Sequence, residues 1–167
     1  IVHERFQGTS QLGPRGDAVL ELDWCVGELT KTLAQEGLTK DTLIVFCSDN
    51  GPVLDDGYKD QAIEKNGSHH AAGPYSGGKY SVYEGGTRTP FITCWPGTIS
   101  PGVSDELVCT IDLATSLNHL VNHHIHNDAC LDSIDVSDAL VGKEGAKGRD
   151  HLIPVSYTHL TLPTNCV

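Results

Sequence analysis

Four residues of this sequence have side chains suited to binding a cation or an anion. Asp49 and Asn50 follow an apolar run and offer adjacent carboxylate and amide oxygens, the hard ligands that Ca²⁺ or Mg²⁺ prefers. Lys79 follows two glycines, which let a backbone approach a ligand closely while the ammonium meets an anion. His69 lies ten residues before Lys79 in the glycine-rich segment 51–89, and so long a segment without a clear period is usually functional. The pattern is compatible with a joint cation and anion site.

Each of these signals also has a purely structural interpretation. The Asn-Gly pair at 50–51 is typical of a tight turn, and an exposed lysine is most often ordinary surface. Residues 73–80 nearly match the phosphate-binding loop pattern, but Tyr80 replaces its small Mg²⁺-binding hydroxyl and no strand precedes it, which excludes nucleotide binding of that kind. His119 and His123 are four residues apart and can hold a metal, but the pattern favours a solvated helix end.

The composition excludes several classes of protein. The 167 residues carry 11 Lys and Arg against 22 Asp and Glu, which gives a formal net charge of −11. This acidity argues against nucleic acid as the main partner, because a basic surface is its usual footprint. The apolar fraction of 38% is that of a globular domain. No apolar run approaches the roughly 20 residues that span a bilayer, so we expect no membrane span.

The two ends of the chain carry separate signals. Methionine is absent and no signal peptide is present, so we expect this sequence to be a piece of a longer protein. The string VSYTHLTLPT at 155–164 resembles the translation of a sequencing-library adapter. We therefore interpret 1–154 as a partial native domain and 155–167 as a non-native tail. Without the tail, five irregularly spaced cysteines remain, which is no disulfide framework.

The hydrophobic pattern predicts an α/β domain. A helix is expected between Asp17 and Gly37, a potential cap and a potential end, because apolar residues recur there at intervals of three and four. The β-branched apolar run at 42–47 predicts a strand buried on both faces, which is usual in a parallel sheet covered by helices. A second strand is predicted at 90–95, and a second helix opens at Asp112.

The order of the motifs along the chain is specific. Ser48-Asp49-Asn50-Gly51-Pro52 is followed by a histidine-bearing loop, by Gly77-Gly78-Lys79-Tyr80, by the run YEGGTRTP at 83–90 and by Trp95-Pro96-Gly97. This series resembles the type I sulfatases, which are arylsulfatase-like enzymes of the alkaline phosphatase superfamily. The resemblance covers roughly residues 3 to 150. It implies a partial alkaline-phosphatase-like α/β sandwich, with a mostly parallel sheet covered by helices.

The resemblance implies a sulfuric ester hydrolase. In that family a formylglycine attacks the sulfur of a sulfate ester, and Ca²⁺ polarises the sulfate oxygens. By matching motif, Asp49 and Asn50 are implied as calcium ligands, Lys79 as a contact to the sulfate oxygens, and His69 as a residue that touches the substrate. The implied partner is a sulfated small molecule or carbohydrate. The implied location is periplasmic, secreted or lysosomal.

The sequence also departs from the family pattern. The nucleophile motif C/S-x-P-x-R is absent from the 167 residues. The family's amino-terminal strand, whose paired aspartates would complete the calcium site, is absent as well. We therefore expect the carboxyl-terminal half of a sulfatase domain that is inactive alone. Glu84 and Arg88 belong to the pattern and are assigned to loop packing. A phosphoester or phosphonate hydrolase of the same superfamily, or a noncatalytic metal-binding module, remain alternatives. The sulfatase interpretation requires Asp49 and Lys79 to share one rim of a sheet.

Overall fold

The computed structural model describes residues 2–123 and 129–154, which form two compact units. Unit 1 contains residues 2–38 and 50–89, and unit 2 contains 39–49 and the described part of 90–154. The expected tail at 155–167 lies outside the described residues. None of the helices in the described part has the length and apolarity needed to cross a bilayer.

Unit 1 contains a long helix and two short ones, namely α1 (Gly13–Gln35), α2 (Ala62–Lys65) and α3 (Glu84–Thr87). The predicted long helix is confirmed. It ends at Gln35, and the expected Gly37 lies just past its cap with a φ of +71°, which suits glycine. Asp17 is not its cap. Its carboxylate instead accepts the backbone N–H groups of Gly8 and Ser10, at 2.8 and 2.9 Å. Hydrogen bonds from Ser10 and Gly8 hold the pKa of Asp17 below its ordinary value.

The apolar face of α1 is exposed in the described residues. Val19 is 63% exposed, Leu22 48% and Leu29 53%. The only buried residue of this helix is Asp17. The spacing of apolar residues therefore identified the helix correctly. Within the described residues, however, no contact buries its apolar face.

Unit 2 contains the strands β1 (Ile44–Cys47) and β2 (Phe91–Cys94) and the helices α4 (Leu113–Leu120) and α5 (Ser137–Leu140). The α/β class is thus confirmed. The expectations of a parallel arrangement and of a strand buried on both faces are wrong for these two strands. They pair antiparallel, and no residue of β1 is buried. The end of β1 lies beside the start of β2, as expected for an antiparallel pair. The Ser48 N–H, just after β1, donates to the carbonyl of Pro90, just before β2, at 3.2 Å.

The interior of unit 2 lies where α4 and α5 meet. Val136 and Leu140 are buried there with Ser116, whose hydroxyl accepts the Val136 N–H at 2.9 Å. The Thr93 hydroxyl joins β2 to this region by donating to the Leu140 carbonyl at 2.8 Å. Asp112 is fully buried at the predicted opening of the second helix.

Candidate functional site

Asp49 and Asn50 occupy the turn that follows β1. The side chain of Asp49, the last residue of this stretch of unit 2, is exposed. Asn50 begins the second segment of unit 1 and is half-buried. Its amide Nδ2 donates to the Gly51 carbonyl at 2.9 Å, which gives the side chain a defined orientation. The pair presents carboxylate and amide oxygens at the end of a strand.

Lys79 is tied by its backbone to the segment that begins with Asn50. Its N–H donates to the Pro52 carbonyl at 2.9 Å. The side chain is half-buried, and Nζ lies 5.4 Å from the centre of the Tyr80 ring, within cation–π range. Within 2–123 and 129–154, no carboxylate lies at ion-pair distance from this ammonium. In so acidic a chain, Lys79 is a cation left available to an anionic ligand.

The backbone around α3 completes this arrangement. Gly51 N–H donates to the Gly86 carbonyl at 2.8 Å, and Gly85 N–H donates to the Ser76 carbonyl at 2.8 Å. Both glycines of α3 are buried. Gly85 and Gly86 belong to the run YEGGTRTP, but loop packing was predicted only for Glu84 and Arg88. The density of glycine between 73 and 86 was the available signal for this close backbone contact.

His69 lies in a separate turn after α2. Its N–H donates to the Asn66 carbonyl at 3.1 Å, and the Asn66 amide donates to the His69 carbonyl. The imidazole is exposed, and none of the hydrogen bonds in the described residues joins it to Lys79. The structure therefore brings Lys79, but not His69, against the segment at 50–52.

The expected solvated end of α4 includes an acidic contact that the sequence did not reveal. Nδ1 of His119 contacts the Asp135 carboxylate and lies 3.3 Å from the Ser137 hydroxyl. His119 is therefore engaged by unit 2 itself. His124 and His126, which crowd the same helix end in the sequence, lie outside the described residues.

An arginine that the sequence analysis overlooked holds the loop after Pro52. Arg15 of α1 donates through Nη2 to Asp56 at 2.7 Å and through Nε to Asp60 at 2.8 Å, and it also contacts the Val53 carbonyl. No local pattern signals this contact, because Asp60 is 45 residues away along the chain. Arg15 thus orders the segment that leaves the turn at 50–52.

The expected packing role of Glu84 and Arg88 agrees with the contacts they make. Arg88 Nη1 lies 3.5 Å from Glu84 Oε1, and its guanidinium lies 4.9 Å from the centre of the Tyr75 ring. Both charged side chains are largely exposed. They brace the short helix α3 from outside.

The donor set suits a hard cation but is small. Asp49 and Asn50 supply oxygen ligands of the kind that Ca²⁺ takes, whereas Ca²⁺ needs about six to eight. No group of three or more His, Cys, Asp or Glu side chains arranged to hold a metal occurs in the described part of the chain. These two residues fit a calcium site as part of its ligands.

Comparison with known proteins identifies relatives that match most of this chain. The family model described as Sulfatase matches residues 2–123. An N-acetylgalactosamine-6-O-sulfatase of Bacteroides thetaiotaomicron is 47% identical over 144 residues, which are 86% of this chain and 28% of that protein. Human arylsulfatase A is 37% identical over 83% of this chain and 25% of its own length. The chain therefore spans about a quarter of the length of these curated relatives.

Solved structures agree with the sequence relatives. A structure from a study of glycosaminoglycan metabolism by Bacteroides thetaiotaomicron superposes with a TM-score of 0.84 at 46% identity, over 88% of this chain and 30% of that chain. The PsFucS1 sulfatase of Pseudoalteromonas sp. superposes with a TM-score of 0.67 at 33% identity, over 81% of this chain and 26% of that chain. The motif order, the fold and these matches agree, and the chain belongs to the sulfatase family.

Proposed function

We propose that this chain supplies the sulfate-binding lysine and two calcium ligands to the active site of a sulfuric ester hydrolase. The observation that carries the proposal is Lys79, an ammonium without a carboxylate partner in the described residues, attached by its backbone to the segment that begins with Asn50. An anion that reaches this lysine would also be close to the segment that carries the Asn50 amide. A sulfate ester with Ca²⁺ bound to it would suit both groups, because its anionic oxygens attract the ammonium and the cation attracts the oxygen ligands.

The proposed role requires Lys79 to act as a charged ammonium group. As a sulfate ester cleaves, negative charge moves from the sulfate oxygens toward the departing oxygen. A fixed ammonium near that oxygen stabilises the transition state more than the bound substrate, which raises kcat. The flexible stem of lysine suits a single-point contact better than two-point recognition. We also propose, from the motif resemblance, that His69 touches the substrate.

The metal would be held in part by Asp49 and Asn50. Bound Ca²⁺ would supply Lewis-acid polarisation of the sulfate oxygens. The Asn50 amide already donates to the Gly51 carbonyl, so its oxygen has a defined direction before a cation binds. We expect Asn50→Ala to raise the calcium concentration needed for half-maximal activity.

The nucleophile is proposed to lie outside these 167 residues, because none of them forms a C/S-x-P-x-R motif. A formylglycine made from such a motif would complete the site in a longer protein that carries this sequence. We therefore propose that the 167-residue chain by itself hydrolyses nothing. The name of the 47% identical relative, an N-acetylgalactosamine-6-O-sulfatase, favours a sulfated carbohydrate as substrate. The proposed periplasmic, secreted or lysosomal location rests on the family resemblance.

The test compares two proteins on an aryl sulfate and the matching aryl phosphate, each with and without Ca²⁺. The full-length protein that carries this sequence should hydrolyse the sulfate, and the 167-residue chain should hydrolyse neither ester. Lys79→Ala in the full-length protein should lower kcat about 10²- to 10³-fold, the usual loss when one charge-stabilising group is removed. Lys59→Ala removes an exposed lysine of the same unit and should leave kcat unchanged.

Turnover by the 167-residue chain would overturn the proposed inactivity. Full activity of the Lys79→Ala protein would overturn the role of the lysine. A preference for the phosphate ester would favour the phosphohydrolase alternative.

A further inference from the structure

Four glycines of unit 1 bring three backbone segments into direct contact. We call Gly51, Gly78, Gly85 and Gly86 the glycine junction. A Cβ built on Gly51 would lie 1.9 Å from the Gly85 carbonyl oxygen, and one on Gly78 would lie 2.5 Å from the Pro52 carbonyl oxygen. On Gly86 it would lie 2.3 Å from the Gly78 carbonyl oxygen. These distances leave no room for any larger residue.

The atoms that meet at the junction cannot easily move aside. They are backbone oxygens rather than the ends of flexible side chains, and two of them, the Pro52 and Gly78 carbonyls, accept backbone hydrogen bonds from Lys79 and Ser81. The Gly51 N–H holds the Gly86 carbonyl at 2.8 Å, and the Lys79 N–H holds the Pro52 carbonyl at 2.9 Å. A side chain introduced here therefore shifts the backbone itself.

Lys79 lies directly beside this junction in a backbone of unusual conformation. Gly77 has a φ of +86° and Tyr80 a φ of +75°, so positive φ values flank the lysine on both sides. A bulky residue such as tyrosine adopts this region only when its surroundings impose it. The path of the chain through Lys79 is thus set by the packing around it.

We propose that the glycine junction positions Lys79, and that Gly78 and Gly86 are positioning residues of the sulfatase site. This inference rests on the proposed function of Lys79. A lysine side chain has four flexible bonds, so the placement of its ammonium depends on where the backbone holds its Cα. The junction fixes that point against the segment 50–52, which contains one implied calcium ligand.

The experiment combines Gly78→Ala with Lys79→Ala in the full-length protein. Gly78→Ala should lower kcat for an aryl sulfate about 10²-fold, because a displacement of roughly 1 Å at a positioning group has that effect. In the Lys79→Ala background the same change should have no further effect, since no ammonium remains to be misplaced. A glycine with a merely structural role would instead lower activity equally in both backgrounds. Gly27→Ala is the matched control, because a Cβ there meets nothing within 4 Å.

A second measurement, amide hydrogen exchange, uses the unmodified protein and so needs no variant. The amide hydrogens of Gly51 and Lys79 should exchange slowly and at similar rates in the unmodified protein, because each is bonded across the junction. Rapid exchange at Lys79 alone would overturn the proposal. So would a folded Gly78→Ala protein with unchanged kcat while Lys79→Ala is impaired. If Lys79→Ala itself keeps full activity, it is the proposed function that fails.

Discussion

Two regions of the molecule, one in each unit, hold distant segments together by different physical means. In unit 1 the glycine junction packs backbone directly on backbone, at distances that leave no room for a Cβ. In unit 2 the buried carboxylate of Asp112 accepts hydrogen bonds from distant parts of the chain. It receives Arg149 through two hydrogen bonds, at 2.7 and 2.5 Å, and the N–H groups of Cys109 and Ile134 at 3.0 and 3.1 Å.

The difference shows which property each region can least tolerate losing. A glycine junction depends on the absence of atoms, so the smallest addition disturbs it. A buried ion pair depends on the presence of both partners, so a deletion disturbs it most. The candidate sulfate-binding lysine belongs to the first kind of region. Its position is therefore sensitive to added volume rather than to lost charge.

The largest effect is expected from removing one partner of the buried ion pair. Arg149→Met leaves the Asp112 carboxylate buried without its cation, which should lower the free energy of unfolding by about 3–5 kcal/mol. Lys143→Met breaks the exposed pair with Asp138 and should cost no more than about 1 kcal/mol. Urea unfolding of the three proteins measures both differences. Equal stabilities would mean that Asp112 does not organise unit 2.

A smaller effect, of the opposite chemical origin, is expected at the glycine junction. Gly51→Ala adds one methyl group against the Gly85 carbonyl, and overpacking of this kind costs about 1–3 kcal/mol. Gly27→Ala, in the open middle of α1, should instead stabilise the chain by about 0.5–1 kcal/mol, because alanine loses less backbone entropy there. The two identical substitutions should thus change the urea midpoint in opposite directions. A midpoint that rises in both would contradict close packing at Gly51.

Local pattern predicted the longer elements of the fold, but not the short helices α2, α3 and α5. The long helix, the two strands and the second helix all lie where apolar spacing, glycine and acidic residues indicate. The direction of strand pairing was missed because a run of apolar residues such as 42–47 is the same in parallel and antiparallel sheets.

The contacts between distant segments were not predictable from one sequence. Asp112 and Arg149 are 37 residues apart, and no spacing rule joins them. For the candidate site, the motif resemblance selected Lys79 and Asn50, whose segments the structure places side by side. The resemblance did not indicate that the glycines of α3 would contact these segments. A glycine in a loop indicates that the backbone is free to adopt unusual conformations, but not which segment packs against it.

The smallest expected difference between the two regions is in how their contributions to the free energy of unfolding change with pH. Burial raises the pKa of Asp112, but hydrogen bonds from Arg149, Ile134 and Cys109 outweigh it, so the pKa lies below its ordinary value. A carboxyl group with a lowered pKa in the folded state stabilises the fold above its unfolded pKa. That stabilisation is lost as the pH falls through the folded value.

The cost of Arg149→Met should therefore shrink as the pH is lowered from 7 toward 3, because protonation of Asp112 removes the charge that Arg149 compensates. The cost of Gly51→Ala should stay constant over the same range, since the atoms that clash there do not titrate. Urea unfolding of both variants and the unmodified chain at several pH values measures this difference. A Gly51→Ala cost that follows pH would show that charge, and not volume, governs the junction beside Lys79.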